Sequence, residues 1–278
     1  MRPDRLLQDA AYALRTLRKT PGFTLVAVLM LALGIGANTA IFTAVYHVLL
    51  RPLPYASPGK LIALWEDFSF IGFPHNNLCP ADYVDWRKQN TVFEDIAAFR
   101  YRSANLTTDG PPENVPGRGV TPNFFQLLGV PPLLGRTFTE EEDRRQDPVV
   151  VLSYSLWQSR YVGDPHLVGR PILMNGAKVT VIGVMPQAFV FPARSTAFWV
   201  PMNFTPQNLA NRQAHFLDAI ARLKPGVSID QARAEMTQIA KRLERAYPAS
   251  NSRVGAVVLP LRDDMVGDMR LPLLVLIA

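Results

Sequence analysis

The longest break in the alternation of polar and apolar positions lies near the start of the chain. Residues Phe23 to Leu50, FTLVAVLMLALGIGANTAIFTAVYHVLL, contain no Asp, Glu, Lys or Arg. A helix of this length reaches about 42 Å, enough to cross the ~30 Å hydrocarbon core of a bilayer. Buried helices of soluble proteins rarely run so long without charge, and the apolar part of a cleaved signal peptide is roughly half as long. The pattern therefore predicts a transmembrane helix over 23–50. Before it, Leu6, Leu7, Ala10, Leu14 and Leu17 fall at helical spacing, with Arg5, Asp9, Arg15 and Arg18 between them. This is a short amphipathic helix suited to a membrane surface, and Pro21-Gly22 would turn the chain from it into the bilayer.

After Arg51 the pattern changes to that of a soluble domain. Short β-rich runs occur at Leu61–Glu66, Ile96–Thr107, Val115–Val120, Pro148–Leu152, Ala219–Leu223 and Val254–Leu259. Asn175-Gly176, between the β-rich flanks PILM and AKVTVIGV, is the preferred dipeptide of a type I′ hairpin. Helices are predicted at Asp82–Lys88, at Thr121–Leu128 with Thr121 as cap, and from Ser153 to near Gly163. The longest soluble helix runs from Ser228 to Ala246, with Ile229, Ala232, Met236, Ile239, Ala240 and Leu243 on its apolar face. The mixture implies an α+β class: a mixed α/β extracytoplasmic domain following the transmembrane helix, built as one body or two lobes. The last eight residues, LPLLVLIA at 271–278, are too few to span. They are expected to open a second membrane helix; a last core strand is the alternative.

Charge sets the orientation. The formal net charge is +6. Arg2, Arg5, Arg15, Arg18 and Lys19, against Asp4 and Asp9, place a cluster of positive charge ahead of the span. The rest of the excess is diluted along the chain, with no basic run or recognition motif, which argues against nucleic acid as a partner. Positive flanks stay in the cytoplasm, so the soluble domain is expected outside. Within the span, Ala32, Gly36, Ala40 and Ala44 recur every four residues, a small-residue ridge that permits close helix packing.

No reactive constellation appears. His47, His75, His166 and His215 stand apart in sequence, without an HExxH pair. Cys79 is the one cysteine and reads as a buried apolar residue. There is no GxSxG elbow and no phosphate-binding GxxxxGK[ST] loop, and Gly34-Ile35-Gly36 falls inside the span. The acidic run Glu140–Asp143 reads as a solvated helix start, and the four tryptophans as core. No catalytic, cofactor-binding or metal-ligating residue is assigned, and no enzyme activity is expected.

Four blocks carry a resemblance: ALRTLRKTPGFTLVAVLMLALGIGANTAIFTAVYHVLLRPLPY at 13–55, DYVDWRKQNTVFEDIAAF at 82–99, GVTPNFFQLLGVPPLLGRTF at 119–138 and VIGVMPQAFVFP at 181–192. Together they resemble the N-terminal part of a MacB/FtsX-type ABC transporter permease, most closely the duplicated permeases of acidobacteria. The resemblance implies a cytoplasmic segment at 1–22, a transmembrane helix at 23–50, a MacB-like periplasmic core domain at 51–270 and the start of a further span at 271–278. It implies the inner membrane, with residues 51–270 in the periplasm. It also implies a non-catalytic permease subunit of an exporter or mechanotransmission system. The partners implied are membrane lipids, a separate cytoplasmic ABC ATPase, a second copy or paralogous permease half, and a periplasmic adaptor. A membrane-anchored binding or adaptor module is the alternative. The candidate coupling residues are Arg15, Arg18 and Lys19 for orientation and Gly36 and Ala40 for helix contact. Arg51, Pro52, Leu53 and Pro54 complete the set as a stiff joint, for which a plain exit turn is the alternative.

Overall fold

The computed structural model describes residues 12, 15, 17–45 and 53–267, and the chain divides into two units. In the first, helix α1 runs Pro21–Val45. Its first residue is Pro21, where a missing N–H costs nothing, and the helical path breaks at Thr20, one residue before the expected turn. At 25 residues it is about 37 Å long. Residues Pro21–Thr43 average a hydropathy of 2.2, and none of the most apolar window is buried within the chain. Its threonines are satisfied locally: Thr39 Oγ1 donates to the Ile35 carbonyl and Thr43 Oγ1 to that of Thr39, both at 2.7 Å. These bonds remove the penalty of a bare hydroxyl in lipid. Most of the amphipathic segment, Arg51, Pro52 and residues 268–278 lie outside the described residues.

The second unit, Leu53–Met265, is built on one 11-stranded mixed sheet. The order of elements is β1 (Leu61–Phe68), β2 (Phe73–Asn76), α2 (Pro80–Gln89), β3 (Phe93–Leu106), β4 (Glu113–Val120), α3 (Phe124–Leu128), β5 (Leu134–Gly135), α4 (Glu140–Arg145), β6 (Val149–Leu152) and α5 (Tyr154–Tyr161). There follow β7 (Pro171–Met174), β8 (Ala177–Val184), β9 (Phe198–Pro201), α6 (Pro206–Ala210), β10 (Asp218–Leu223), α7 (Ile229–Ala246), α8 (Pro248–Asn251) and β11 (Gly255–Pro260). The strands lie in the order β11-β1-β10-β3-β4-β9-β6-β8-β5, with β2 on β1 and β7 joining β3 to β8.

The three strands β1, β10 and β3 are buried on both faces, which is why LIAL and IAAF read as apolar runs rather than alternating strands. Ile62, Leu64, Ile96, Ala98, Ala219 and Ala221 face Trp86 of α2 and Ala232, Met236, Ile239 and Leu243 of α7. Leu61, Ala63, Ala97, Phe99 and Ile220 face an aromatic core containing Phe124, Phe125, Phe189, Phe191 and Trp199. A third cluster packs α5 onto Val150, Leu152 and Val181. In the parallel β4–β9 pair the Phe198 ring lies on the backbone of Gly117, where a Cβ would sit 2.4 Å from it.

Several local expectations shift in the structure. Thr121 does not cap α3. Its Oγ1 instead accepts the Ala98 N–H at 3.0 Å, repairing the end of a ladder, and α3 begins at Phe124. Helix α5 ends at Tyr161, with Val162 as a left-handed cap at φ 52° and Gly163 left-handed after it at φ 70°. In the acidic run, Glu142 is buried rather than solvated: it closes a capping box with Thr139 and pairs with both terminal nitrogens of Arg136 at 2.8 and 2.6 Å. The Asn175-Gly176 turn has φ of 53° and 80°, as a type I′ hairpin requires.

Candidate functional site

The soluble unit begins at the segment 53–57, and this segment is fixed rather than free. Leu53 packs on the aromatic core, and Tyr55, 7% exposed, stands edge-on to Phe189 and Phe191 with ring centroids 6.1 and 5.9 Å away. The Ala56 N–H donates to the Leu128 carbonyl at 3.2 Å. Arg222, on the central strand β10, is 8% exposed and reaches the same place. Its Nη1 donates to the Ala56 carbonyl at 2.7 Å, and its Nε and Nη2 donate to the Leu127 carbonyl at 2.9 and 2.5 Å. Of its partners, the Leu127 carbonyl lies in the last turn of α3, where a helix favours a cation. Burial pushes the Arg222 pKa down, while Glu94 opposes the shift.

The other end of the unit is fixed to the same strands. After β11, which pairs along β1, Leu261 is 2% exposed in the aromatic core. The Trp65 indole N–H donates to Asp264 Oδ1 at 2.7 Å. Beside it a cavity of about 280 Å³ is lined by Trp65, Tyr101, Arg118, Phe191, Asp218 and Asp264, among others. Burial raises the Asp218 pKa to about 6. Asp264 adds to this, while Asn77, whose Nδ2 donates to Oδ1 at 3.0 Å, and Arg118 oppose it.

A second buried polar group lies where β1, α2 and the strand lead-in before β10 meet. Cys79 is wholly buried and caps α2, its Sγ accepting the Asp82 N–H at 3.4 Å. Glu66, also wholly buried, accepts the Cys79 N–H at 3.1 Å through Oε1, and its Oε2 lies 2.6 Å from His215 Nδ1. Asp82 pairs with Arg212 and accepts from Asn251 at 2.5 Å. Arg212 also reaches Asp85 at 2.5 Å and lies over the Tyr247 ring at 3.5 Å. Burial raises the Glu66 pKa, Asp82 adds to the effect, and the Glu66 carboxylate raises that of His215. The sequence leaves Cys79 and His215 separate; the fold places both against Glu66. The Leu78–Leu217 bridge and the β1–β10 ladder bring them together, and neither shows as a local motif.

Of the residues singled out from sequence, Arg15, Arg18 and Lys19 are exposed and helical. Gly36 and Ala40 are exposed on α1, and a side chain at Gly36 would meet nothing within 4 Å. Leu53 and Pro54 open the fixed segment; Arg51 and Pro52 lie outside the described residues. His75 and His166 are exposed. Sequence reasoning missed Arg222, whose only signal was an arginine inside the apolar run AIARL.

An apolar helix long enough to cross a bilayer and an α+β unit on one large mixed sheet define a membrane-anchored domain. Residues 24–239 match the MacB-like periplasmic core domain, and the chain belongs to this family. It is 31% identical over 145 residues to the macrolide export ATP-binding/permease protein MacB of Chromobacterium violaceum, covering 52% of this chain and 21% of that one. It is 32% identical over 101 residues to its namesake in Bdellovibrio bacteriovorus, covering 36% and 15%. The chain thus spans about a fifth or less of the length of these curated relatives. The fold is shared with the periplasmic region of MacB from Actinobacillus actinomycetemcomitans, at TM-score 0.57 and 15% identity over 80% of this chain and 97% of that one. It is shared too with the extracellular domain of the ABC-type transporter YknZ from Gram-positive bacteria, at TM-score 0.51 and 14% identity over 72% and 99%. The chain is an inner-membrane protein with a periplasmic segment.

Proposed function

We propose that this chain is a non-catalytic permease subunit of an ABC-type exporter or mechanotransmission system, in which the periplasmic domain converts cytoplasmic ATP hydrolysis into extracytoplasmic movement. One observation carries the reading. The entering segment 53–57 is fixed to β10 through Arg222 and the leaving segment 261–265 to the adjacent β1 through Trp65, so a displacement at either end moves the sheet as a body. A domain hung on slack ends would absorb that displacement.

The partner that hydrolyses ATP would be a cytoplasmic ABC ATPase. The names of the relatives, which join ATP-binding and permease functions in export, support this partner. The open ridge at Gly36 and Ala40 would take the corresponding helix of a second copy or a paralogous half. Membrane lipid surrounds the remainder of α1. The alternative, an anchored module that binds a periplasmic adaptor without transport, is favoured by one feature: Phe70, Ile71 and Phe73 are 37%, 58% and 61% exposed near the β1–β2 turn.

The test is reconstitution of the complete gene product in liposomes with candidate cytoplasmic ABC ATPases from the same genome. The permease reading expects the ATPase to be stimulated and the domain to change its exchange protection with nucleotide. Adaptor binding that is indifferent to nucleotide, with no stimulation, would replace it with the alternative.

A further inference from the structure

We propose that Glu66, Cys79 and His215 form a binding site for one divalent transition-metal ion of the zinc class, independent of the permease reading. The three side chains offer oxygen, sulfur and nitrogen, and their donor atoms all lie within 4.8 Å of one another. This is a borderline-soft donor set suited to zinc. Glu66 and Cys79 are wholly buried, and the His215 side chain is 21% exposed. The site is therefore closed by protein on the inside and open to a water ligand on the side of the histidine.

The way the donors are held points to an ion rather than to a finished hydrogen-bond network. Glu66 Oε2 and His215 Nδ1 are 2.6 Å apart, yet neither makes a hydrogen bond of acceptable geometry. Arg212 is committed to Asp82, Asp85 and the face of Tyr247. Two of the ligands are oriented from outside. The Asp82 N–H at the start of the ten-residue helix α2 holds Sγ, and the Cys79 N–H holds Oε1. Such outer contacts orient metal ligands and raise affinity. The Phe68 ring, edge-on at 5.1 Å, excludes water from one flank of the imidazole.

An ion bound tetrahedrally at usual zinc distances would hold nitrogen and oxygen about 3.3 Å apart. The Nδ1–Oε2 pair thus opens by less than ~1 Å on binding, within the play of two side-chain torsions. Binding displaces the Cys79 thiol proton to solvent and leaves a zinc–thiolate bond. The ion would tie strand β1, the cap of α2 and the lead-in to β10 at one point.

The test uses the full chain, free of affinity tag, in detergent after chelator treatment and gel filtration. Cobalt(II) alone is titrated first. Because Cys79 is the one cysteine, a thiolate-to-cobalt charge-transfer band in the near ultraviolet reports this site alone. The expected results are that band with tetrahedral visible absorption, one zinc retained per chain, and a zinc-dependent rise in melting temperature. C79S should abolish the band, and E66Q and H215A should each weaken zinc by at least ~100-fold, more than loss of an outer contact does. A folded wild-type chain with no cobalt–thiolate band and no retained zinc overturns the proposal. So do variants that bind zinc as the wild type does. Should a variant fail to fold, the wild-type cobalt spectrum decides by itself.

Discussion

Replacing Arg222 by methionine keeps the apolar stem of the side chain and removes the fork that joins β10 to the entering segment. The guanidinium makes three bonds within 3.0 Å to two carbonyls, Leu127 and Ala56, at 8% exposure. A hydrogen bond to a charged group is worth about 1.5–3 kcal/mol net, so losing the bonds to both carbonyls would cost about 3–6 kcal/mol. Freedom from burying a charge returns several kcal/mol in principle, but the two orphaned carbonyls keep their desolvation cost of about 1–3 kcal/mol each. The expected net loss is about 2–4 kcal/mol. For a unit of this size that lowers the melting temperature by about 4–16 °C. Stability alone does not distinguish a joint from an ordinary core contact, so the second readout is hydrogen exchange of the full chain. The Ala56 amide, bonded to the Leu128 carbonyl, should lose protection in R222M ahead of β1 and β10. R222K, which restores the charge without the fork, should recover only part of the loss. If R222M melts within ~0.5 kcal/mol of the wild type and the peptide over 53–60 exchanges as before, Arg222 does not hold the entering segment.

Three further outcomes follow from the same geometry. The Asp218 pKa of about 6 lies above the ordinary aspartate value, so the fold prefers the protonated form. Its stabilising contribution is full below about pH 4 and lost as pH rises through about 6. D218N should therefore raise the melting temperature at pH 7.5, by up to ~3 kcal/mol of stability, and flatten the dependence between about pH 4 and 6; a parallel shift at all pH values would assign the effect to packing. R212M strips the buried Asp82 of its cation and should cost about 3–5 kcal/mol, with D82N/R212M recovering much of it in a double-mutant cycle. V162N places a residue tolerant of the left-handed cap at φ 52°, and denaturant titration should show a gain of about 1 kcal/mol; a loss would mean that the 88%-exposed valine makes contacts outside this chain.

The membrane helix was legible in the sequence because its cause is local. An uncharged run carries its own lipid preference wherever the rest of the chain goes, and its threonines find partners one turn away. The same holds for the Asn175-Gly176 hairpin, the amphipathic face of α7 and its Ser228–Gln231 capping box, each settled by residues within a few positions. Where two groups compete for one role the local reading fails. Thr121 could cap a helix or repair a ladder, and the neighbouring strand Phe93–Leu106 decided it. Val162 and the glycine after it are both left-handed, where the sequence marked only the glycine.

The sequence by itself determined what enters the membrane and the α+β class. Only the tertiary structure decided that Arg222 reaches Ala56 and that Asp264 reaches Trp65, 166 and 199 residues away along the chain. Only it set Glu66, Cys79 and His215 around one point. Periodicity records which face of an element is wet or dry. It carries no record of which distant element covers that face, because burial on both sides makes β1, β10 and β3 look alike. The polar residues inside such strands are therefore read from sequence as irregularities, and the sheet order turns them into a joint and a cluster of donors.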